Sequence, residues 1–128
     1  MIYGIGNDII SVERIKQSII NYGDRFKAKV FTPEEVVYCD LYGEKKYVHY
    51  AARFAVKESF SKAVGTGLAK GFKMNEVGVI NEKSGKPNLY LSGELLEKYG
   101  HLKLHVTISH SDEYAIANVV LENLELEH

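Results

Sequence analysis

The sequence has no tryptophan, a single cysteine and only two prolines in 128 residues. One cysteine can form neither an internal disulfide nor a zinc site, so Cys39 is expected to be a buried structural thiol. The formal net charge is -1, and this total favours neither nucleic acid nor membrane as a partner. No apolar run is long enough to span a bilayer, and the N-terminus lacks a basic-then-apolar signal segment. We therefore expect a soluble, cytoplasmic protein.

Hydrophobic residues make up 45% of the chain, which is enough for one compact core. The length and the lack of a linker predict a single domain over residues 1–122. Residues 123–128 are expected to be a tail, and its last three letters, LEH, resemble the start of an expression tag. Helical patterns dominate the first half and alternating strand patterns the second. The sequence therefore predicts an α+β fold with antiparallel strands.

The first predicted element is a strand over residues 2–10, IYGIGNDII. Alternation places Gly4, Gly6 and Asp8 on one face of this strand. The two glycines leave room on that face for another backbone or for a ligand. Asn7 either faces away or adds a hydrogen bond near Asp8, and Ser11 is predicted to cap the helix that follows.

Helices are predicted over residues 12–20, 33–41, 49–64 and 92–100, and further strands over residues 77–80, 88–91, 104–108 and 114–121. The second helix begins at a capping box with proline at its first position, TPEE at 32–35. Gly65 and Gly67 are expected to end the third helix. A turn is expected over residues 81–87, and Ser92 is the candidate cap of the last helix.

The third helix combines small, acidic and basic side chains. At ~100° per residue, its small residues share a face that should pack closely on a neighbour: Ala52, Ala55, Val56, Ser59 and Ala63. Glu58 and Lys62 lie one turn apart at the edge of that face, and Arg53 and Lys57 fall on the other side. Spacing alone predicts a surface ion pair between Glu58 and Lys62, worth ~0.3–0.5 kcal/mol.

Asp8 gives this edge of the helix a second interpretation. Two carboxylates from separate elements, Asp8 and Glu58, are a minimal way to hold Mg²⁺, which prefers oxygen ligands and usually keeps waters and substrate phosphates. Lys62 beside such a site would bind a phosphate oxygen. This set suits the transfer of a phosphate-linked group, in which the catalyst mainly positions charge.

Four stretches occur together in the order and spacing of one family: GIGNDII at 4–10, RFAVKESFSKAVGTG at 53–67, SGKP at 84–87 and VTISHSDEYAIANVVLE at 106–122. On these stretches the chain resembles the holo-acyl-carrier-protein synthases, which are 4′-phosphopantetheinyl transferases, over residues 1–122. The resemblance implies transfer of 4′-phosphopantetheine from coenzyme A to a serine of apo-acyl carrier protein. It also implies a requirement for Mg²⁺ and release of adenosine 3′,5′-bisphosphate.

The resemblance further implies roles for individual residues. Asp8 and Glu58 would ligate Mg²⁺ and act in catalysis, and Lys62 would contact the coenzyme A phosphates and stabilise charge on the leaving group. Other residues would shape the nucleotide pocket or lie near the phosphates: Arg53, Gly65, Pro87 and His110. The proton of the serine would pass to a metal-bound water or to Glu58, and metal-assisted deprotonation is the working hypothesis.

The resemblance also implies two kinds of protein partner. The acidic carrier protein would dock on a basic surface of the first helix, where Arg14 is the leading candidate. Copies of the chain would form a homotrimer with active sites at the subunit boundaries. Arg53 and Glu58 point about 140° apart on the helix, so one small ligand would not touch both in one subunit. Either the two residues serve coenzyme A from different subunits, which is the favoured interpretation, or a long ligand wraps around the helix.

Several alternatives stay open. Arg53 alternatively makes a structural ion pair, and the basic residues near Arg14 alternatively form an ordinary solvated face. The same carboxylates would suit a Mg²⁺-dependent coenzyme A phosphohydrolase, and a non-catalytic coenzyme A-binding module is also possible. A Ser/His/Asp hydrolase is rejected, because SHSDEY lacks a nucleophile elbow. The tyrosines show no nucleic-acid stacking pattern.

Overall fold

A computed structural model of the chain describes residues 1–65 and 72–124. The helices are α1 (Val12–Val30), α2 (Pro33–Asp40), α3 (Lys46–Val64) and α4 (Gly93–Tyr99), and the strands are β1 (Ile2–Ser11), β2 (Val77–Asn81), β3 (Pro87–Leu91), β4 (Lys103–His110) and β5 (Tyr114–Glu122). This arrangement confirms the predicted α+β fold. Gly67, expected to help end the third helix, lies outside the described residues.

The strands form two antiparallel sheets. The larger sheet has the order β1-β5-β4, and β2 pairs with β3 in the smaller one. Helix α3 packs across β1 and β5, so that the small-residue face predicted for it is buried. Asn81 and Pro87, expected in the turn, instead pair with each other at the ends of β2 and β3.

The glycines of β1 let the backbone of α3 come very close. A Cβ atom at Gly4 would lie 2.0 Å from the carbonyl oxygen of Ala63, and one at Gly6 would lie 2.0 Å from that of Ser59. The space that the sequence predicted beside these glycines therefore holds a helix backbone, not a ligand. The Ser59 hydroxyl also donates to the carbonyl oxygen of Ala117 on β5, at 3.1 Å.

Helix α1 is longer than the pattern predicted. It continues past residue 20 to Val30, with an interruption at Gly23, where φ is +58°. The apolar periodicity breaks around this glycine, although Phe26 and Val30 beyond it pack into the core. The cap predicted at Ser11 is present, since its side chain accepts from the backbone N–H of Arg14.

The other two predicted caps have different outcomes. At α2 the capping box is complete, because Thr32 and Glu35 each accept from the other's backbone N–H. At α4 the side chain of Ser92 makes no capping hydrogen bond. The carboxylate of Glu76 accepts from the backbone N–H groups of Glu94 and Leu95 instead, so that a residue distant in sequence supplies the cap.

The face of the larger sheet that points away from α3 is uncovered by the described part of the chain. Ile5, Ile9 and Ile116 lie on this face with 68%, 57% and 41% of their surface exposed. Such a row of exposed apolar residues is typical of a protein interface. Within residues 1–65 and 72–124, no helix is both long and apolar enough to cross a membrane.

Candidate active site

Lys62 and Asp8 meet where the end of α3 passes over β1. The Nζ atom of Lys62 lies 2.9 Å from Oδ1 of Asp8 and 3.0 Å from the carbonyl oxygen of Asn7. The spacing-based prediction of a Glu58–Lys62 ion pair is wrong for the described residues, because the ammonium of Lys62 reaches Asp8 instead. The close approach at Gly4 and Gly6 brings the strand within that reach.

Glu58 belongs to the same cluster. Burial raises the pKa of its carboxyl group, the negative charge of Asp8 raises it further, and Lys62 acts in the opposite direction. These effects require the three charges to lie near one another. The structure therefore brings together Asp8, Glu58 and Lys62, as the sequence predicted. The side chain of Asn7 is exposed on the opposite face of β1, and only its carbonyl oxygen points to the cluster.

The neighbours of Glu58 in the KES triplet hold its position from two sides. Lys57 is fully buried and donates to the Glu35 carboxylate and to the carbonyl oxygens of Met74 and Val77. Ser59 donates to a carbonyl oxygen of its own helix, that of Ala55, as well as to β5. With these anchors α3 cannot rotate easily, so that Glu58 stays directed to the edge of β1.

Sequence reasoning missed the Lys57–Glu35 pair. It placed Lys57 on the far side of the helix without a partner, and it used Glu35 only as part of a capping box. Both carboxylate oxygens of Glu35 are in fact occupied: Oε1 by Thr32 N–H and Lys57, and Oε2 by Val79 N–H. The pairing depends on tertiary packing, and nothing local in the sequence signals it.

The donor atoms of the cluster fit a small, hard cation. Asp8 and Glu58 offer carboxylate oxygens, and Asn7 offers a carbonyl oxygen, which are the ligand types that Mg²⁺ prefers. No group of three or more His, Cys, Asp or Glu residues with metal-site geometry occurs in the described part of the chain. The residues therefore suit an ion that keeps waters and substrate oxygens, and not one held in an all-protein cage.

A cavity of about 230 Å³ lies beside this cluster. Glu58 and Arg14 both line it, together with apolar residues that include Ile15, Phe26 and Phe54. Arg14 is exposed on α1. The residue predicted to bind the carrier and the residue predicted to act in catalysis therefore share one opening.

Arg53 lies on another side of α3. It is only 2% exposed, donates to the side-chain oxygen of Asn81, and places its guanidinium carbon 4.2 Å from the centre of the Tyr38 ring. The contacts described for Arg53 are thus an amide and an aromatic ring, not the ion pair considered as the alternative. Its buried Nε atom has no hydrogen-bond partner within the described structure.

The remaining nucleotide-pocket candidates connect to Arg53 through neighbours. Pro87 pairs with Asn81, the partner of Arg53. The ring of His110 lies 5.7 Å from that of His49, and His49 contacts Tyr38 at 5.8 Å. Burial, followed by the charges of Arg53 and His110, lowers the pKa of His49 to about 4.

The predicted site residues thus fall into two groups. The first group comprises Asp8 on β1 with Glu58 and Lys62 on α3. Gly65 follows directly after that helix and ends it in a left-handed conformation with φ of +86°. The other group is linked by contacts around Arg53 and comprises Arg53, Pro87 and His110. The two groups occupy different sides of α3, as the helical angle between Arg53 and Glu58 predicted.

Comparison with known proteins gives a consistent result. The family model of the 4′-phosphopantetheinyl transferase superfamily matches residues 4–119. The holo-[acyl-carrier-protein] synthase of Ruminiclostridium cellulolyticum is 44% identical over 120 residues, which cover 91% of this chain and 90% of that protein.

Two solved structures are similar along almost the whole chain. A holo-(acyl-carrier-protein) synthase from Bacillus anthracis in complex with CoA (3′,5′-ADP) has a TM-score of 0.81 at 40% identity, covering 96% of this chain and 98% of that one. The holo-[acyl-carrier-protein] synthase of Neisseria meningitidis has a TM-score of 0.84 at 34% identity, covering 96% and 100%. This chain therefore belongs to the 4′-phosphopantetheinyl transferase superfamily.

Proposed function

We propose that this chain is a holo-[acyl-carrier-protein] synthase. It transfers 4′-phosphopantetheine from coenzyme A to a serine of apo-acyl carrier protein and releases adenosine 3′,5′-bisphosphate. The observation that carries this proposal is the cluster of Asp8, Glu58 and Lys62. The names of the similar proteins, and the coenzyme A in the Bacillus anthracis complex, support the same reaction.

In this reaction the serine oxygen forms a bond to the phosphorus that carries pantetheine, and the bond from that phosphorus to the nucleotide phosphate breaks. The serine proton leaves as the new bond forms. Glu58 is a candidate acceptor for it, because a raised pKa makes this carboxylate a stronger base than an ordinary glutamate. The ammonium of Lys62 can bind an oxygen of the departing phosphate and stabilise its charge.

Asp8 and Glu58 are the residues that would hold Mg²⁺. When bound there, Mg²⁺ would supply positive charge to the pyrophosphate oxygens and could lower the pKa of a coordinated water. Glu58→Gln separates ligation from proton transfer. If this variant kept both Mg²⁺ affinity and turnover, the role of Glu58 would be wrong.

We propose that the acidic carrier protein docks at Arg14. The support is the position of Arg14, which is exposed and shares a cavity with Glu58. A carrier bound there would present its serine to the catalytic cluster. Arg14→Gln should raise KM for the carrier and leave coenzyme A affinity unchanged, and an equal loss for both substrates would count against docking at this residue.

We further propose a homotrimer with active sites at the subunit boundaries. The first support is the division of the predicted site residues between two sides of α3, since one side of one subunit could complete the site of the next. The second is the uncovered apolar face of the larger sheet, around Ile5, Ile9 and Ile116. Burying that face between copies would remove apolar surface from water.

We place this reaction in the cytoplasm. The support is Cys39, which is free and fully buried. Burial raises the pKa of its thiol to about 12, which keeps the group protonated and unreactive. Disulfides form in oxidising compartments, and a chain whose one cysteine is a buried free thiol does not need such a compartment to fold.

The central experiment is to incubate the protein with coenzyme A, Mg²⁺ and an apo-acyl carrier protein, and to weigh the carrier by mass spectrometry. The carrier should gain the mass of one phosphopantetheine. The gain should be lost without metal and in Asp8→Ala, whereas Glu97→Ala, which removes an exposed carboxylate of α4, should behave as wild type. Coenzyme A that is hydrolysed without carrier would favour a phosphohydrolase, and intact, tightly bound coenzyme A would favour a binding module.

A further inference from the structure

The ammonium of Lys62 lies on the same oxygen atoms that the proposed metal site offers. It is 2.9 Å from Oδ1 of Asp8 and 3.0 Å from the carbonyl oxygen of Asn7. Both are oxygen donors of the kind that a hard divalent cation takes as ligands. One positive group therefore already neutralises the carboxylate that a metal ion would need.

A divalent cation and this ammonium compete for the negative charge of the Asp8 carboxylate. Mg²⁺ binds oxygen at about 2.0–2.1 Å, and a lysine ammonium at hydrogen-bond distance from the same carboxylate would lie close to it and repel it. Lys62 occupies Oδ1 of Asp8 and the carbonyl oxygen of Asn7, so a metal ion that takes these oxygens as ligands would force the ammonium to move. A metal ion that took only the other carboxylate oxygen of Asp8 would leave Lys62 in place.

The side chain of Lys62 is free to move in a way that Asp8 is not. Half of it is exposed (51%), whereas the Asp8 side chain is only 17% exposed. Lysine also carries its charge on a long, flexible stem. In contrast, the fully buried Lys57 on the same helix has three protein acceptors and no path to solvent.

We propose that Lys62 is a resident cation of the metal site, which Mg²⁺ displaces from Asp8 and thereby releases to bind phosphate. The inference deepens the proposed function and rests on its metal site, though not on transfer itself. It gives Lys62 two successive positions, first on Asp8 and then on the coenzyme A phosphates. By linkage, a phosphate ligand that holds the released ammonium should strengthen metal binding, and metal should strengthen phosphate binding.

The first test measures binding of Mn²⁺ alone, by calorimetry or by electron paramagnetic resonance of the free ion. Lys62→Met should bind Mn²⁺ about 5-fold more tightly than wild type, or better, because the competing ammonium is gone. Lys98→Met, which removes an exposed lysine of α4, is the matched control and should match wild type. Asp8→Asn should lose the binding, which assigns the signal to this site.

Three results would overturn the proposal: unchanged or weaker Mn²⁺ binding in Lys62→Met, an equal gain in Lys98→Met, or no binding to either wild type or Lys62→Met. Circular dichroism and thermal unfolding confirm that each variant is folded. The test is independent of catalysis. If the carrier were never modified while Lys62→Met still bound Mn²⁺ more tightly, the proposed function would fail and the present inference would stand.

The second test follows the displaced group directly in the wild-type protein. Reductive methylation, read lysine by lysine with mass spectrometry, reports how available each amine is. Addition of Mg²⁺ should increase the labelling rate of Lys62 several-fold and leave Lys98 unchanged. Asp8→Asn should label quickly at Lys62 with or without Mg²⁺. A rate that stays constant or falls on addition of Mg²⁺ would show that Lys62 is not displaced.

Discussion

The Nζ atom of Lys57 lies 2.7 Å from Oε1 of Glu35, and neither side chain has any exposed surface. Burial lowers the pKa of Lys57, and the Glu35 carboxylate opposes that shift. The pair connects α3 to α2, and the bonds from Lys57 to the carbonyl oxygens of Met74 and Val77 connect both helices to the start of β2 and to the segment just before it. Because Glu58 is the next residue in the chain, this buried network also fixes part of the candidate site.

Removal of one partner from this pair should be costly. Lys57→Met leaves the Glu35 carboxylate buried without its counter-ion, which should lower the free energy of unfolding by about 3–5 kcal/mol. Urea denaturation measures the loss, with Lys98→Met as an exposed control of the same chemistry. Adding Glu35→Gln should cost less in this background than alone. Strictly additive effects would show that the two side chains are not coupled.

The close packing of the β1 glycines against α3 leads to a second prediction. In Gly6→Ala the new methyl group would meet the carbonyl oxygen of Ser59 at 2.0 Å, so that α3 must shift. We expect a loss of about 1–3 kcal/mol in the free energy of unfolding. We also expect a lower transfer rate, because Glu58 moves with the helix. Wild-type turnover in Gly6→Ala would contradict the packing argument.

The uncovered sheet face gives a prediction for assembly. Ile5→Asp introduces a charge into the face proposed to join the subunits and should shift the protein to a smaller mass in light scattering after gel filtration. Val37→Asp is a matched control, because Val37 on α2 is equally exposed, at 67% against 68% for Ile5. A trimeric Ile5→Asp protein, or a wild-type monomer, would refute this interface.

His49 predicts a pH dependence of stability. Its pKa is about 4 in the folded protein, below the ordinary histidine value of 6.5, so that between these values the unfolded chain binds more protons. Stability should therefore fall as pH drops from about 6.5 to about 4. After allowance for solvent screening, His49 should account for about 1–2 kcal/mol. His49→Phe should remove this part of the decline in urea denaturation, and an unchanged pH profile would contradict the assignment.

The sequence predicted the parts of the fold that depend on local patterns. The alternation in IYGIGNDII placed Asp8 on the inner face, and the capping box located the start of α2. Local patterns did not reveal contacts between distant residues. Glu76 caps α4 from another element, and Lys57 finds Glu35 only through packing. The pairing of Lys62 with Asp8 instead of Glu58 likewise follows from how closely two backbones approach, which spacing along one helix does not contain.

Arg53 lies on one side of α3, and Asp8 of β1 contacts another side through Lys62. This separation has a genetic consequence. In the proposed trimer each catalytic centre draws on two polypeptides, so that damage to one side of a subunit leaves its other side able to serve a neighbour. Two defective alleles, one altered at Asp8 and one at Arg53, would then restore activity to each other when expressed together. In that trimer each catalytic centre would be the joint product of two chains, and neither chain alone would contain a complete one.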